Sequence, residues 1–141
     1  MSENIDKELL ITLATEIKDY LPKIIDNVEL YRRDYNNIEA LRDAHRYIHT
    51  IKGASSMVGL ADLSHLAYYI EESFEEILLG YLEIPIKVAT LVYDAVTLID
   101  SYLDQLLSGV EVDSKELFRR ITEDVKIIKD ELVQKTENVP R

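Results

Sequence analysis

The residues with the most chemistry in them fall in one stretch, His45-Arg46-Tyr47-Ile48-His49-Thr50-Ile51-Lys52-Gly53-Ala54-Ser55-Ser56-Met57-Val58-Gly59. Imidazole titrates near neutrality, so His49 can act as a neutral nucleophile and take a phosphoryl group on nitrogen. Phosphoryl transfer asks for in-line approach and positive charge near the equatorial oxygens, and little else of the acceptor. Lys52, three residues on and about one helical turn away, can supply that charge. Gly53, four residues on, shares the face of His49 and leaves room for another protein to lower its active site onto the ring. A glycine inside an exposed helix costs about 1 kcal/mol against alanine. Close approach by a partner is one reason to keep it, and tight backbone packing is the other.

These groups need a scaffold, and the hydrophobic spacing is helical from end to end. Leu10, Leu13, Ile17, Leu21, Ile24, Val28 and Tyr31 recur in steps of three and four. Pro22 interrupts that run, removing one donor and crowding the carbonyl of Lys18. The stripe keeps its phase across the proline, so one kinked helix over about 6–32 is expected, with two shorter helices as the alternative. Arg33-Asp34-Tyr35-Asn36-Asn37 reads as a loop. Asn36 or Asn37 can cap a second helix, and Glu39 stands in capping-box register with Asn36. That helix carries Leu41, Ala44, Ile48, Ile51, Ser55 and Val58 and closes at Gly59. A third shows Leu63, Leu66, Ile70, Phe74, Ile77 and Tyr81, stopping near Gly80. Pro85 suits an early position of a fourth, with Val88, Val92, Ala95, Ile99, Tyr102 and Leu106 on its stripe and Ser108-Gly109 at its end. A fifth begins at Asp113, boxed by Glu116, and carries Leu117, Ile121, Val125, Ile128 and Leu132. From about Thr136 the tail to Val139-Pro140-Arg141 is polar and expected to fray.

The expected fold is therefore all-α, an antiparallel up-down four-helix bundle with an additional C-terminal helix. The 141 residues read as a single domain, its core over about 6–108 and the fifth helix over about 113–135. Composition narrows the chemistry further. With 16 Lys+Arg against 27 Asp+Glu, 16 − 27 gives a net charge of −11, which argues against nucleic-acid binding. With no cysteine, thiol nucleophiles, zinc ribbons and iron–sulfur sites are excluded. His45 and His49 stand four apart, a spacing that can clasp a metal, but without thiols no metal site is expected. The four glycines are isolated, with no phosphate-cradling loop. No cofactor is expected, and phosphate has to come from a partner. The charged start, Met1 to Glu8, lacks the apolar core of a signal peptide. No run reaches the length of a membrane span, so the cytoplasm is the expected compartment.

With Ile48, Ile51, Ser55 and Val58 buried, His49 lies about 100° from the stripe centre, part packed and part exposed. Arg42, His45, Arg46, His49, Lys52, Gly53 and Ser56 form the neighbouring face, a basic strip in an acidic chain. If the next turn centres on Leu60, His49 is eleven residues before it and Glu71 eleven after. Antiparallel helices bring equal offsets to one height, so Glu71 can face His49, accept from one ring nitrogen and leave the other free. The same arithmetic sets Tyr68 level with Lys52 and Glu75 near Arg46. His65 reads as a solvated polar-face residue, and the Glu71-Glu72-Glu75-Glu76 run as a mostly solvated helix face.

The run from His49 through Lys52 and Gly53 to Gly59 resembles the H-x-[IL]-K-G-x(5)-G signature of histidine phosphotransfer (HPt) domains. Glu71, nineteen residues after Lys52 and twenty-two after His49, matches the longer spacing of chemotaxis-type and twitching-motility-type kinases. Glu16-Ile17-Lys18-Asp19-Tyr20-Leu21-Pro22 is similar to the first helix of their N-terminal domains. The resemblance covers about 6–108. It implies a His49 phosphorylated by a histidine kinase catalytic domain, or exchanging phosphate with an aspartate on a response-regulator receiver. It carries over Lys52 and Gly53 as the family's lysine and glycine, and Glu71 as its glutamate. Tyr68 departs from the histidine often found there in chemotaxis kinases, and Ala61 from a common serine. The isolated domain is expected to be monomeric. The alternative is an HPt-like interaction domain that binds a partner without being phosphorylated.

Overall fold

The computed structural model describes residues 6–80 and 82–138. Five helices follow in order: α1 (Lys7–Arg33), α2 (Ile38–Met57), α3 (Ala61–Gly80), α4 (Ile86–Leu107) and α5 (Ser114–Glu137). Among the described residues there is no strand, and no helix is long and apolar enough to cross a membrane. The all-α expectation holds.

Local chemistry sets the boundaries. Asp6 caps α1 by accepting from the Glu8 N–H at 2.9 Å, and α1 runs through Pro22 as one helix. Asn37 caps α2 by accepting from the Ala40 N–H at 3.3 Å. That shifts the cap one residue from Asn36, so no capping box forms, and Glu39 turns instead to Arg42 at 2.8 Å. Gly59 takes φ 78° just past α2, where a β-carbon would be strained. Pro85 is the residue before α4 rather than inside it. Asp113 caps α5 through the Glu116 N–H at 3.2 Å.

Cross-links show how the helices run. Lys18 of α1 reaches Asp100 and Asp104 of α4, each at 2.6 Å, while Tyr93 of α4 bonds Glu29 further along α1. Rising numbers on one helix meet falling numbers on the other, so α1 and α4 are antiparallel. Asp62–Ser114 and Glu76–Thr136 rise together, so α3 and α5 are parallel. Tyr31 is buried and donates to the Leu82 carbonyl at 2.6 Å, tying the end of α1 to the α3–α4 connection.

One continuous core joins all five helices. The stripe predicted for α2 is buried, and so are those of α3 from Leu63 to Ile77, of α1 from Ile17 onward and of α4 through Tyr102. Leu10, Leu13 and Leu106 are only half-buried. On α5 the seam is turned: Phe118 is buried and Leu117 is not. Phe118 stands edge-on to Tyr102 with ring centroids 5.0 Å apart, a geometry that adds to its area burial. The frayed tail expected from Thr136 is also corrected. Thr136 is buried, and its hydroxyl donates to Leu132 at 2.8 Å and to Glu76 at 3.4 Å. Those bonds hold α5 against α3 to its last turn. Tyr81 and Val139-Pro140-Arg141 lie outside the described residues.

Candidate functional site

α2 and α3 form a hairpin through Val58, Gly59 and Leu60, and its inner surfaces carry the site. Buried Ile48, Ile51 and Ser55 hold α2 to the core. Ser64 of α3 donates to the Lys52 carbonyl at 3.1 Å, and Ser55 donates to the Ile51 carbonyl at 2.6 Å. Hydroxyls thus brace the backbone turn that bears Lys52. Ser64 had no role in the sequence reading, since a lone serine at a helix start carries no distinguishing signal.

Glu71 meets His49 as the equal-offset arithmetic about Leu60 predicts, and Lys52, which that arithmetic set level with Tyr68, reaches the same carboxylate. His49 Nδ1 meets Glu71 Oε2, and Lys52 Nζ donates to the second oxygen, Oε1, at 2.5 Å. The carboxylate is thus held by two donors from one face of α2. The His49 side chain is 62% exposed while that of Glu71 is 5% exposed. Burial pushes the Glu71 carboxyl upward, but hydrogen bonds and charge from Lys52 and His49 outweigh it and hold its pKa below the ordinary value. Glu71 is therefore an anion at neutral pH, and it accepts from the histidine when Nδ1 carries the proton. That tautomer leaves the Nε2 lone pair available on an exposed ring.

Lys52 is engaged with Glu71 rather than standing free, and its Nζ also lies 5.9 Å from the centre of the Tyr68 ring. Tyr68 is level with Lys52, as the offsets imply. Gly53 decides between its two sequence readings: a β-carbon added there would meet nothing within 4 Å. Backbone packing does not require that glycine. Ser56 is exposed on the same helix, and Met57 beside it is 69% exposed, an apolar surface to which the sequence reading gave no role.

The rest of the strip differs from expectation. Glu75 pairs with His45 at 3.2 Å, not with Arg46. Arg46 turns back to Asp43 at 2.7 Å, and Arg42 turns to Glu39. The offsets themselves give the reason: Glu75 is fifteen residues after Leu60 and His45 fifteen before it, whereas Arg46 is fourteen before, and rotation adds to it. His45, four residues before His49, shares its face toward α3, whereas Arg46 is a further 100° around the axis. The basic strip is therefore partly neutralised within α2. His45 is also 3.9 Å from Glu71 Oε2, so α3 presents two carboxylates to two histidines. His65 remains exposed, its ring 5.0 Å from that of Tyr69.

An exposed imidazole oriented by a buried carboxylate on a helical hairpin, beside a lysine and an open glycine, defines a class. The chain belongs to the Hpt domain family, whose sequence pattern matches residues 8–111, and it is a histidine phosphotransfer module of the phosphorelay type. It is similar to the chemotaxis protein CheA of Bacillus subtilis (strain 168), 24% identical over 102 residues, which make up 72% of this chain and 15% of that protein. It is also similar to the chemotaxis protein CheA of Halobacterium salinarum (strain ATCC 29341 / DSM 671 / R1), 30% identical over 80 residues, 57% of this chain and 12% of that protein. The chain thus spans only a small part of the curated relatives it matches. No solved structure matches it significantly.

Proposed function

We propose that His49 accepts a phosphoryl group on Nε2 and exchanges it with the aspartate of a response-regulator receiver, or receives it from a histidine kinase catalytic domain. The observation that carries this reading is the contact between His49 Nδ1 and the buried, ionised Glu71 on an otherwise exposed ring. As Nε2 attacks phosphorus, positive charge develops on the imidazole, and a fixed anion at Nδ1 stabilises it. The bond from phosphorus to its donor oxygen breaks as the nitrogen–phosphorus bond forms, and the carboxylate keeps the Nδ1 proton in place throughout.

Lys52 has two parts in this scheme. It keeps Glu71 ionised through Oε1, and its flexible stem allows the ammonium to swing toward an arriving phosphoryl group. Gly53 leaves the space above the next turn open to a partner backbone. His45, Arg42, Arg46 and Ser56 border the same surface and are proposed to touch the partner, the arginines with charge already shared with Asp43 and Glu39. The module acts as a monomer and takes its phosphate from a partner that binds ATP. Incubation with a phosphorylated receiver should label the chain with acid-labile, base-stable phosphate, and His49→Gln should take up none. A complex that forms without label would replace this reading with that of an interaction domain.

A further inference from the structure

His45, Glu71 and Glu75 bring one imidazole nitrogen and two carboxylate oxygens to within 4.8 Å of one another. We propose that they form a binding site for a divalent transition cation of the zinc type, and that its occupation withdraws Glu71 from His49. The second half of the proposal rests on the phosphotransfer reading above; the first does not.

The distances suit such an ion. Ligands about 2.1 Å from a tetrahedral metal lie about 3.4 Å from one another. His45 Nε2 is 3.2 Å from Glu75 Oε1 and 3.9 Å from Glu71 Oε2, so two edges of the tetrahedron already bracket that spacing. Glu71 and Glu75 are four apart on α3, one turn above the other, and His45 faces them from α2. Glu75 and His45 are partly exposed, which leaves a way in and a fourth position for water. One nitrogen and two oxygens form a borderline donor set. It suits zinc, cobalt or nickel better than magnesium or calcium, which want more oxygen ligands.

The pair first suggested by spacing, His45 with His49, does not clasp an ion here. Their rings lie 13° from parallel with centroids 6.5 Å apart, and Nδ1 of His49 is committed to Glu71. Coordination through His45 Nε2 needs that nitrogen unprotonated. The hydrogen bond to Glu75 has Nε2–H as its donor, so on coordination that proton leaves Nε2, the neutral ring carries its proton on Nδ1, and Glu75 exchanges the hydrogen bond for a metal bond. At Glu71 the ion and His49 compete for the same oxygen, Oε2, while Lys52 keeps Oε1. Metal occupancy and orientation of the phosphate acceptor are therefore opposed.

The test is calorimetric titration of the 141-residue chain with zinc chloride, followed by transfer from a phosphorylated receiver with and without zinc. One equivalent should bind to the wild-type chain. His45→Ala and Glu75→Gln should each weaken binding at least about tenfold, a scale that even indirect partners of a metal reach. His65→Ala should bind as the wild type does, and His49→Gln should bind more tightly because Oε2 is released. Melting followed by circular dichroism checks that each variant is folded. No saturable uptake, or equal affinity in His45→Ala, overturns the site. Saturating zinc should slow labelling of the wild type more than that of Glu75→Gln. Equal slowing places the effect on the donor and overturns the coupling. A metal-free chain that accepts no label overturns the His49 reading and leaves the calorimetry standing.

Discussion

Lys52 and Glu71 make a pair whose two halves should respond differently to removal. Glu71 is 5% exposed and Lys52 is 30% exposed. Lys52→Met keeps most of the stem's packing but leaves a buried carboxylate with His49 as its remaining partner among the three. Removing one partner of a buried pair costs about 3–5 kcal/mol, because an uncompensated charge stays inside. With His49 still in contact, about 2–3 kcal/mol is expected. Glu71→Gln strands no buried charge, since Lys52 and the exposed His49 are both rehydrated, and it should stay within about 1 kcal/mol of the wild type. Function should rank the other way for the glutamate. Loss of a charge-assisted hydrogen bond worth about 1.5–3 kcal/mol in the transition state slows transfer roughly ten- to a hundredfold. The assays are urea unfolding by circular dichroism at neutral pH and the rate of label transfer from a phosphorylated receiver. Acid supplies an internal check. The folded pKa of Glu71 is held below its ordinary 4.5. Its contribution is therefore full above that value and is lost as pH falls through the lower folded one. The stability gap between wild type and Lys52→Met should close over the same interval. A Glu71→Gln chain less stable than Lys52→Met, or one that transfers at the wild-type rate, would refute the reasoning.

Gly53→Ala meets open space and should stabilise the chain by about 0.5–1 kcal/mol, raising Tm by a few degrees while slowing transfer if a partner needs that space; Gly53→Leu should stop transfer and leave the circular dichroism spectrum unchanged. Asp113→Ala removes the cap bond to Glu116 and should cost about 1 kcal/mol in urea unfolding. The Tyr93 hydroxyl, raised to about 12 by burial and by its bond to Glu29, should ionise last in an absorbance titration. Its contribution to stability is whole below the ordinary 10.0 and lost as pH rises toward 12, so Tyr93→Phe should flatten the alkaline end of the stability curve.

Height along the helices was legible in the sequence, and rotation about them was less so. Equal offsets from Leu60 set Glu71 opposite His49 and Tyr68 beside Lys52, because each residue advances a helix by a fixed rise. Which flank a side chain takes depends on steps of 100° and on how the neighbouring helix is turned. That is why Phe118 displaced Leu117 from the core, whereas Glu75 went to His45 rather than Arg46 because Glu75 and His45 are each fifteen residues from Leu60. Thr136 reads as polar in a list of residues, but its hydroxyl satisfies itself on Leu132 and packs against Glu76, so polarity did not predict exposure. The pairing of Arg42 and Arg46 with residues three before them was also available from spacing. It was obscured by reading the strip as a sum of charges instead of a set of partners. Caps were the most readable feature, since aspartate at 113 and glycine at 59 have few other uses in those places.

The double hold on Glu71 has a further consequence for timing. Glu71 already holds Nδ1 of His49 in the free chain, so on the proposed reading the acceptor ring is in its working pose before any partner arrives. The entropy of arranging the imidazole against Glu71 was spent when the chain folded. On that reading the same pose would serve arrival and departure of the phosphoryl group alike. A module of the proposed kind would favour neither direction by its own shape, leaving the net flow of phosphate to the concentrations and phosphorylation states of the proteins that meet it.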